Sequence, residues 1–187
     1  MTSVEPVVTF SRGDKTLAVT YSVVNPAPGP IYLFNVLWTF GEGGGRVLDS
    51  IPLYASLDAG GRLVLGKVVY PRPRLELVEV ANVPLARKVE PGEAWTETVN
   101  LTLPVQEHSP YYRATPSGEW QDVEVNAASF WISWIAETAG LVVRPGWASG
   151  ALDVWHPELW KLIGTAKTLW HPLSVPARRR VGGFERL

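Results

Sequence analysis

The first hundred residues alternate between apolar and polar positions with a period of two, the mark of a strand with one dry face. Leu17, Val19, Tyr21 and Val23 share one face of a run that stops at Asn25-Pro26. A Pro28-Gly29-Pro30 turn follows. Tyr32, Phe34, Val36, Trp38 and Phe40 then line one side of the next segment, and Ile31, Leu33, Asn35 and Leu37 line the other. Both sides are mostly apolar, so this strand is predicted to lie inside a layered structure, covered on both faces. Glycine-rich residues 41–45 read as a hairpin connection, where glycine accepts positive φ freely. Their spacing matches no phosphate-binding loop, and no helical pattern follows them.

The same alternation continues towards residue 136. Segment 47–57 is interrupted by Pro52 and is expected at an edge or bulge. Leu63, Leu65, Val68 and Tyr70 form another run, and 75–83 alternates again after Pro71 and Pro73. In 95–103, Trp95, Glu97, Val99, Leu101 and Leu103 share one parity, whereas Thr96, Thr98, Asn100 and Thr102 share the other. That pattern predicts a strand with a wet, threonine-rich face. Residues 125–136 are the last expected central strand, with Phe130, Ile132 and Trp134 opposing Trp131 and Ile135. Short strands separated by Gly/Pro turns at regular intervals predict an all-β fold. The expectation is an immunoglobulin-like antiparallel β-sandwich of about seven to nine strands. It would occupy residues 1–144, with 145–187 as a Trp-rich, basic extension packed on it and its last residues mobile.

An ordered series of motifs runs through this region: Asn82-Val83-Pro84, then Val89-Glu90-Pro91-Gly92-Glu93, then VNLTLPV over 99–105, then Pro110-Tyr111-Tyr112. Together with NPAPGPIYLFNVL over 25–37, it resembles a group of bacterial proteins of uncharacterised function with an immunoglobulin-like sandwich. The resemblance spans residues 15–136. It implies a fold and no activity.

Beyond Gly140 the pattern changes. Trp147, Trp155, Trp160 and Trp170 are four of the nine tryptophans, and Trp-His-Pro occurs twice, at residues 155 and 170. One reading starts a helix at Pro157, a favoured first-turn residue, with Leu159, Ile163, Ala166 and Trp170 on one stripe. The other makes 166–175 a final strand. Gly164 and the threonines weaken a long helix. The segment is therefore expected to hold a brief helical turn over 157–163 and then a strand. Arg178, Arg179 and Arg180, followed by Gly182-Gly183, read as a mobile basic terminus.

Composition narrows the classes. The 187 residues contain 17 Lys+Arg, 18 Asp+Glu and no Cys. Disulfides, thiolate metal sites and cysteine nucleophiles are therefore absent. The near-neutral charge disfavours a general nucleic-acid binder, which needs a basic face. The average conceals polarity: residues 145–187 hold six basic and three acidic side chains. No apolar run reaches the roughly 18–20 residues of a spanning helix, and no signal-peptide pattern opens the chain, so a cytoplasmic protein is expected.

No catalytic constellation emerges. There is no Gly-x-Ser-x-Gly elbow. His156 and His171 with Asp153 or Glu158 match no standard metal spacing. The carboxylate pairs Glu90/Glu93 and Asp122/Glu124 lie in a turn or on a polar face. No cofactor is expected. Trp38, Trp131 and Trp134 are expected in the core, and Trp95 and Trp120 in the sheet or at its rim. The four remaining tryptophans either pack the extension onto the scaffold or line an interface, where aromatics are enriched.

The leading expectation is a non-enzymatic binding or assembly module. It would use Trp147, Trp155, His156, Trp160, Trp170, His171, Arg178, Arg179 and Arg180 for self-association or a protein partner. One alternative is a small-molecule-binding protein or enzyme with an aromatic pocket drawn from Trp155, His156, Trp160, Trp170 and His171. A second is recruitment to an anionic partner through the arginines.

Overall fold

A computed structural model describes residues 3–70, 81–111 and 119–181. Among these residues the chain is all-β apart from one four-residue helix. A three-stranded antiparallel sheet contains β1 (Pro6–Arg12), β2 (Thr16–Val24) and β9 (Ala94–Thr102), with β2 in the middle. Its inward positions, Leu17, Val19, Tyr21, Val23, Val99 and Leu101, are the apolar parity read from the sequence. Its outward positions are a hydroxyl ladder. Thr20 bonds Thr98 at 2.8 Å and Thr96 bonds Ser22 at 2.9 Å.

The facing sheet is larger. It contains β3 (Ile31–Val36), β6 (Tyr54–Leu57), β7 (Leu63–Lys67), β8 (Leu85–Val89), β10 (Val105–Gln106), β11 (Trp120–Ala136), β12 (Val142–Pro145), β13 (Leu152–Trp155), β14 (Gly164–Lys167) and β15 (His171–Arg180). Its organiser is β11, which at 17 residues is long enough to take two partners in succession on each edge. One edge pairs β15 and then β14, both antiparallel. The other pairs β7, parallel, and then β3, antiparallel. A separate hairpin, β4 (Trp38–Phe40) with β5 (Arg46–Leu48), carries the glycine-rich turn.

Two features differ from the purely antiparallel arrangement of seven to nine strands expected from periodicity. The described residues hold fifteen strands. The pairs β7–β11 and β10–β15 run parallel. Alternation reports which face a residue occupies, and is silent on the direction of the neighbouring strand. Segment 47–57 splits into β5 and β6 around Pro52. Most of the expected strand 75–83 lies outside the described residues.

The main core fills the space between the two sheets. Tyr21 stacks on Phe130 across it, with ring centroids 4.5 Å apart. A second core forms on the opposite face of the large sheet. There Tyr32, Phe34, Ala86 and Ile135 meet Val154 and Leu159. This explains why β3 is apolar on both sides: Ile31 and Leu33 face the first core, and Tyr32 and Phe34 face the second.

Candidate functional site

The second core decides where the tryptophans go. After β11, residues 137–163 form the β12–β13 ribbon, joined to β8 of the large sheet through the single Leu152–Ala86 pair, and the helix α1 (Leu159–Leu162), and their apolar side chains close over the second core. Alternation in the ribbon turns Val143, Leu152 and Val154 towards the core, and Leu159 and Ile163 join them. The segment is therefore held by aliphatic side chains. Its tryptophans stay outside: Trp147 is 44% exposed, Trp155 57% and Trp160 46%, and Trp170, further along, is 37% exposed. Of the three tryptophans expected in the core, Trp38 is buried, with its indole N–H donating to the Val83 carbonyl. Trp131 and Trp134 are half-buried, covered by Lys167 and Gly164 of β14.

The sequence-predicted site residues fall in separate places. Trp155 ends β13, Trp160 is in α1, and Trp147 lies in the loop at the tip of the ribbon. Trp170 instead carries the guanidinium of Arg62, 4.1 Å from its ring, at the β6–β7 turn. His156 is a structural peg. Its Nδ1 accepts the Glu158 N–H at 3.0 Å, which leaves Nε2 as the protonated nitrogen facing the Ala139 carbonyl at 3.3 Å. Both ring nitrogens are thus committed to the main chain. His171 packs edge-on against Phe10 of β1, at 5.8 Å.

Arg178, Arg179 and Arg180 are not in a mobile tail; they are strand residues of β15, opposite Asp122, Gln121 and Trp120 of β11. Arg178 pairs with Asp122 at 3.0 Å. Arg179 donates to the Asp58 carbonyl at 3.2 Å, and the Arg180 N–H donates to the buried Glu107. The triple-arginine run looks like a solvated terminus only when its pairing partners, sixty residues earlier, are ignored. Residues 182–187 lie outside the described residues. No helix among the described residues is long and apolar enough to cross a membrane. No three His, Asp or Glu side chains among the described residues converge to hold a metal.

Two polar clusters escaped the sequence reading. At one end of the main core, Lys67 of β7 is only 4% exposed along its side chain. Its ammonium donates to Glu97 at 2.6 Å and to the Asn35 carbonyl at 2.8 Å. Tyr21 donates to the other Glu97 oxygen at 2.5 Å. The Asn35 amide, oriented with its oxygen towards the Trp95 indole N–H at 3.0 Å, completes the set. Burial holds the Lys67 pKa below its usual value, against the pull of Glu97. Burial together with the Glu97 charge raises that of Tyr21. Such an amine, enclosed and bonded to two acceptors, ties the sheets together. The second cluster joins Asp49 to His108 at 2.8 Å beside the buried Tyr54 and Tyr70, whose rings meet edge to face. Parity alone marked Glu97 as inward-facing. Its partner Lys67 lies thirty residues away on the other sheet, which no local pattern reveals. No family model, curated protein or solved structure matches the chain.

Proposed function

We propose that this chain is a non-enzymatic, immunoglobulin-like binding or assembly module. On this reading, residues 1–144 are the scaffold, and the Trp-rich surface of 145–187 engages a second protein molecule. The observation that carries the reading is the division of labour within the extension. Its aliphatic residues make the second core while Trp147, Trp155 and Trp160 remain about half exposed. A tryptophan ring withdraws on the order of 150–250 Å² from water when buried. A segment that needed these rings for its own packing would have turned them inward. Exposed aromatic rings with a polar edge, carried by the ribbon, its tip and α1, suit a protein interface. Two sheets packed face to face around one core support the immunoglobulin-like description, and the cysteine-free composition is in keeping with the cytoplasm.

Light scattering and chemical cross-linking of the full chain test the reading. A variant with Trp147, Trp155 and Trp160 all changed to Ser serves as comparison. The wild type should associate, with itself or with another protein, and the triple variant should not, at equal urea stability. A wild type that forms no protein complex, or a variant that forms the same complexes, defeats the proposal.

A further inference from the structure

The β12–β13 ribbon presents an outer face of four residues. In its antiparallel register Val142 is opposite Trp155, and Arg144 is opposite Asp153. These four side chains share the side away from the second core, which takes Val143, Leu152 and Val154. Trp155, Arg144 and Asp153 are exposed. Directly opposite residues in an antiparallel pair have Cβ atoms about 4.5–5.5 Å apart, so Arg144 and Asp153 are within reach of each other. Yet neither takes part in an ion pair or a side-chain hydrogen bond among the described residues. Some exposed charges elsewhere are paired, as Lys161 is with Glu158, Lys88 with Glu90 and Arg178 with Asp122; here two opposite charges face each other across a strand pair and remain unpaired. The ribbon therefore offers one free positive charge and one free negative charge, side by side, next to an apolar pair.

We infer that the partner on this face is a second copy of the same chain, bound through a two-fold axis parallel to the ribbon strands. This rests on the reading of the extension as an interaction surface, and names its occupant. A two-fold interface brings one patch against itself, so the patch must be self-complementary. A patch of one sign repels its copy. Rotation about an axis along the strands lays β12 of one copy over β13 of the other. Arg144 of each copy then meets Asp153 of the other, and Trp155 of each meets Val142 of the other. Every contact occurs twice, and no like charges face each other. A stable interface covers about 800 Å² per partner, more than four residues supply. Trp147 at the ribbon tip, with Trp160 and Leu162 in α1, adds exposed apolar surface next to it in the chain.

Sedimentation velocity on the full chain, from about 1 to 200 µM, tests the inference. The wild type should dimerise. Arg144→Asp and Asp153→Arg, each alone, put like charges across the interface and should weaken the dimer at least about tenfold. An equimolar mixture of the two variants should dimerise again, because in the mixed pair every cross-contact is between opposite charges. Neither a folding defect nor a foreign partner produces that restoration. Trp155→Ser should abolish the dimer with the charges intact. A wild type that stays monomeric overturns the second copy as occupant; cross-linking of the triple tryptophan variant then decides the broader reading separately. A dimer indifferent to Trp155→Ser and to both reversals overturns this face. A mixture that stays monomeric overturns the two-fold pairing.

Discussion

Replacing Glu97 by Gln removes one charge from the Lys67 cluster and changes almost no volume. The ammonium of Lys67 then remains buried, with neutral acceptors only. Its side chain is 4% exposed and its carboxylate partner lies 2.6 Å away, so water cannot take over the role of the lost charge. Breaking a buried pair on one side costs roughly 3–5 kcal/mol. Glu97 is itself 29% exposed along its side chain, which lowers the expected cost to about 3 kcal/mol. The reverse change, Lys67→Met, leaves a carboxylate that solvent reaches and Tyr21 still bonds, so about 1–2 kcal/mol is expected. The double variant should lose much less stability than the sum of the two single losses, since removing both charges also removes the desolvation penalty. Urea denaturation followed by tryptophan fluorescence gives all four corners of this cycle. The pH dependence has a definite sign. Burial depresses the Lys67 pKa in the folded state, so between that depressed value and the unfolded value of 10.5 the unfolded chain binds more protons. Stability from this group therefore rises with pH across that window. Without Glu97 the folded pKa falls further, and the deficit of Glu97→Gln should shrink from pH 7 towards pH 10. A Lys67→Met loss larger than that of Glu97→Gln, or additive effects, would refute the reasoning.

Other consequences are open to measurement. Burial raises the pKa values of Tyr21, Tyr54 and Tyr70 above the ordinary 10.0, so their contribution is intact below pH 10 and is lost above it. The loss should approach 1.4 kcal/mol per group for each further pH unit, and ultraviolet titration should show these phenols ionising only as the chain unfolds. Leu159→Ala, which removes a buried anchor of the extension, should cost about 2–3 kcal/mol, whereas Trp155→Ala should stay within about 0.5 kcal/mol in the monomer. Equal losses would mean that Trp155 packs the ribbon. At Gly66 an added Cβ would overlap the Trp131 main-chain carbonyl of β11. Gly66→Ala should therefore cost more than about 3 kcal/mol or prevent soluble expression, since neither backbone can move within the paired strands; a wild-type urea midpoint would show that the β7–β11 register is different.

The sequence made strand faces legible and partners illegible, for one physical reason. Side-chain alternation is local: Leu17, Val19, Tyr21 and Val23 announce their common face without reference to any other segment. Pairing is not local. That β7 runs parallel to β11, or that residues 178–180 complete a sheet with residues 120–122, depends on hydrogen bonds between segments about sixty residues apart. The same limit governed the site. Nine tryptophans exceed what one core needs, and the surplus could be placed in the last quarter of the chain from composition alone. Whether that surplus faced inward or outward turned on a feature outside the tail. The second apolar face of β3, with Tyr32 and Phe34, supplies the surface that the extension must cover. The alternation of that strand had already indicated a covered face on each side. What it lacked was the identity of the cover. Between Val142 and Trp155 the ribbon carries both aliphatic and aromatic candidates, and once Val143, Leu152 and Val154 fill the inner parity, geometry leaves Trp155 only the outer one. The exposure of Trp155 is thus a consequence of β-ribbon parity and of a strand more than a hundred residues earlier, and the charges beside it, Arg144 and Asp153, are placed outside by the same constraint.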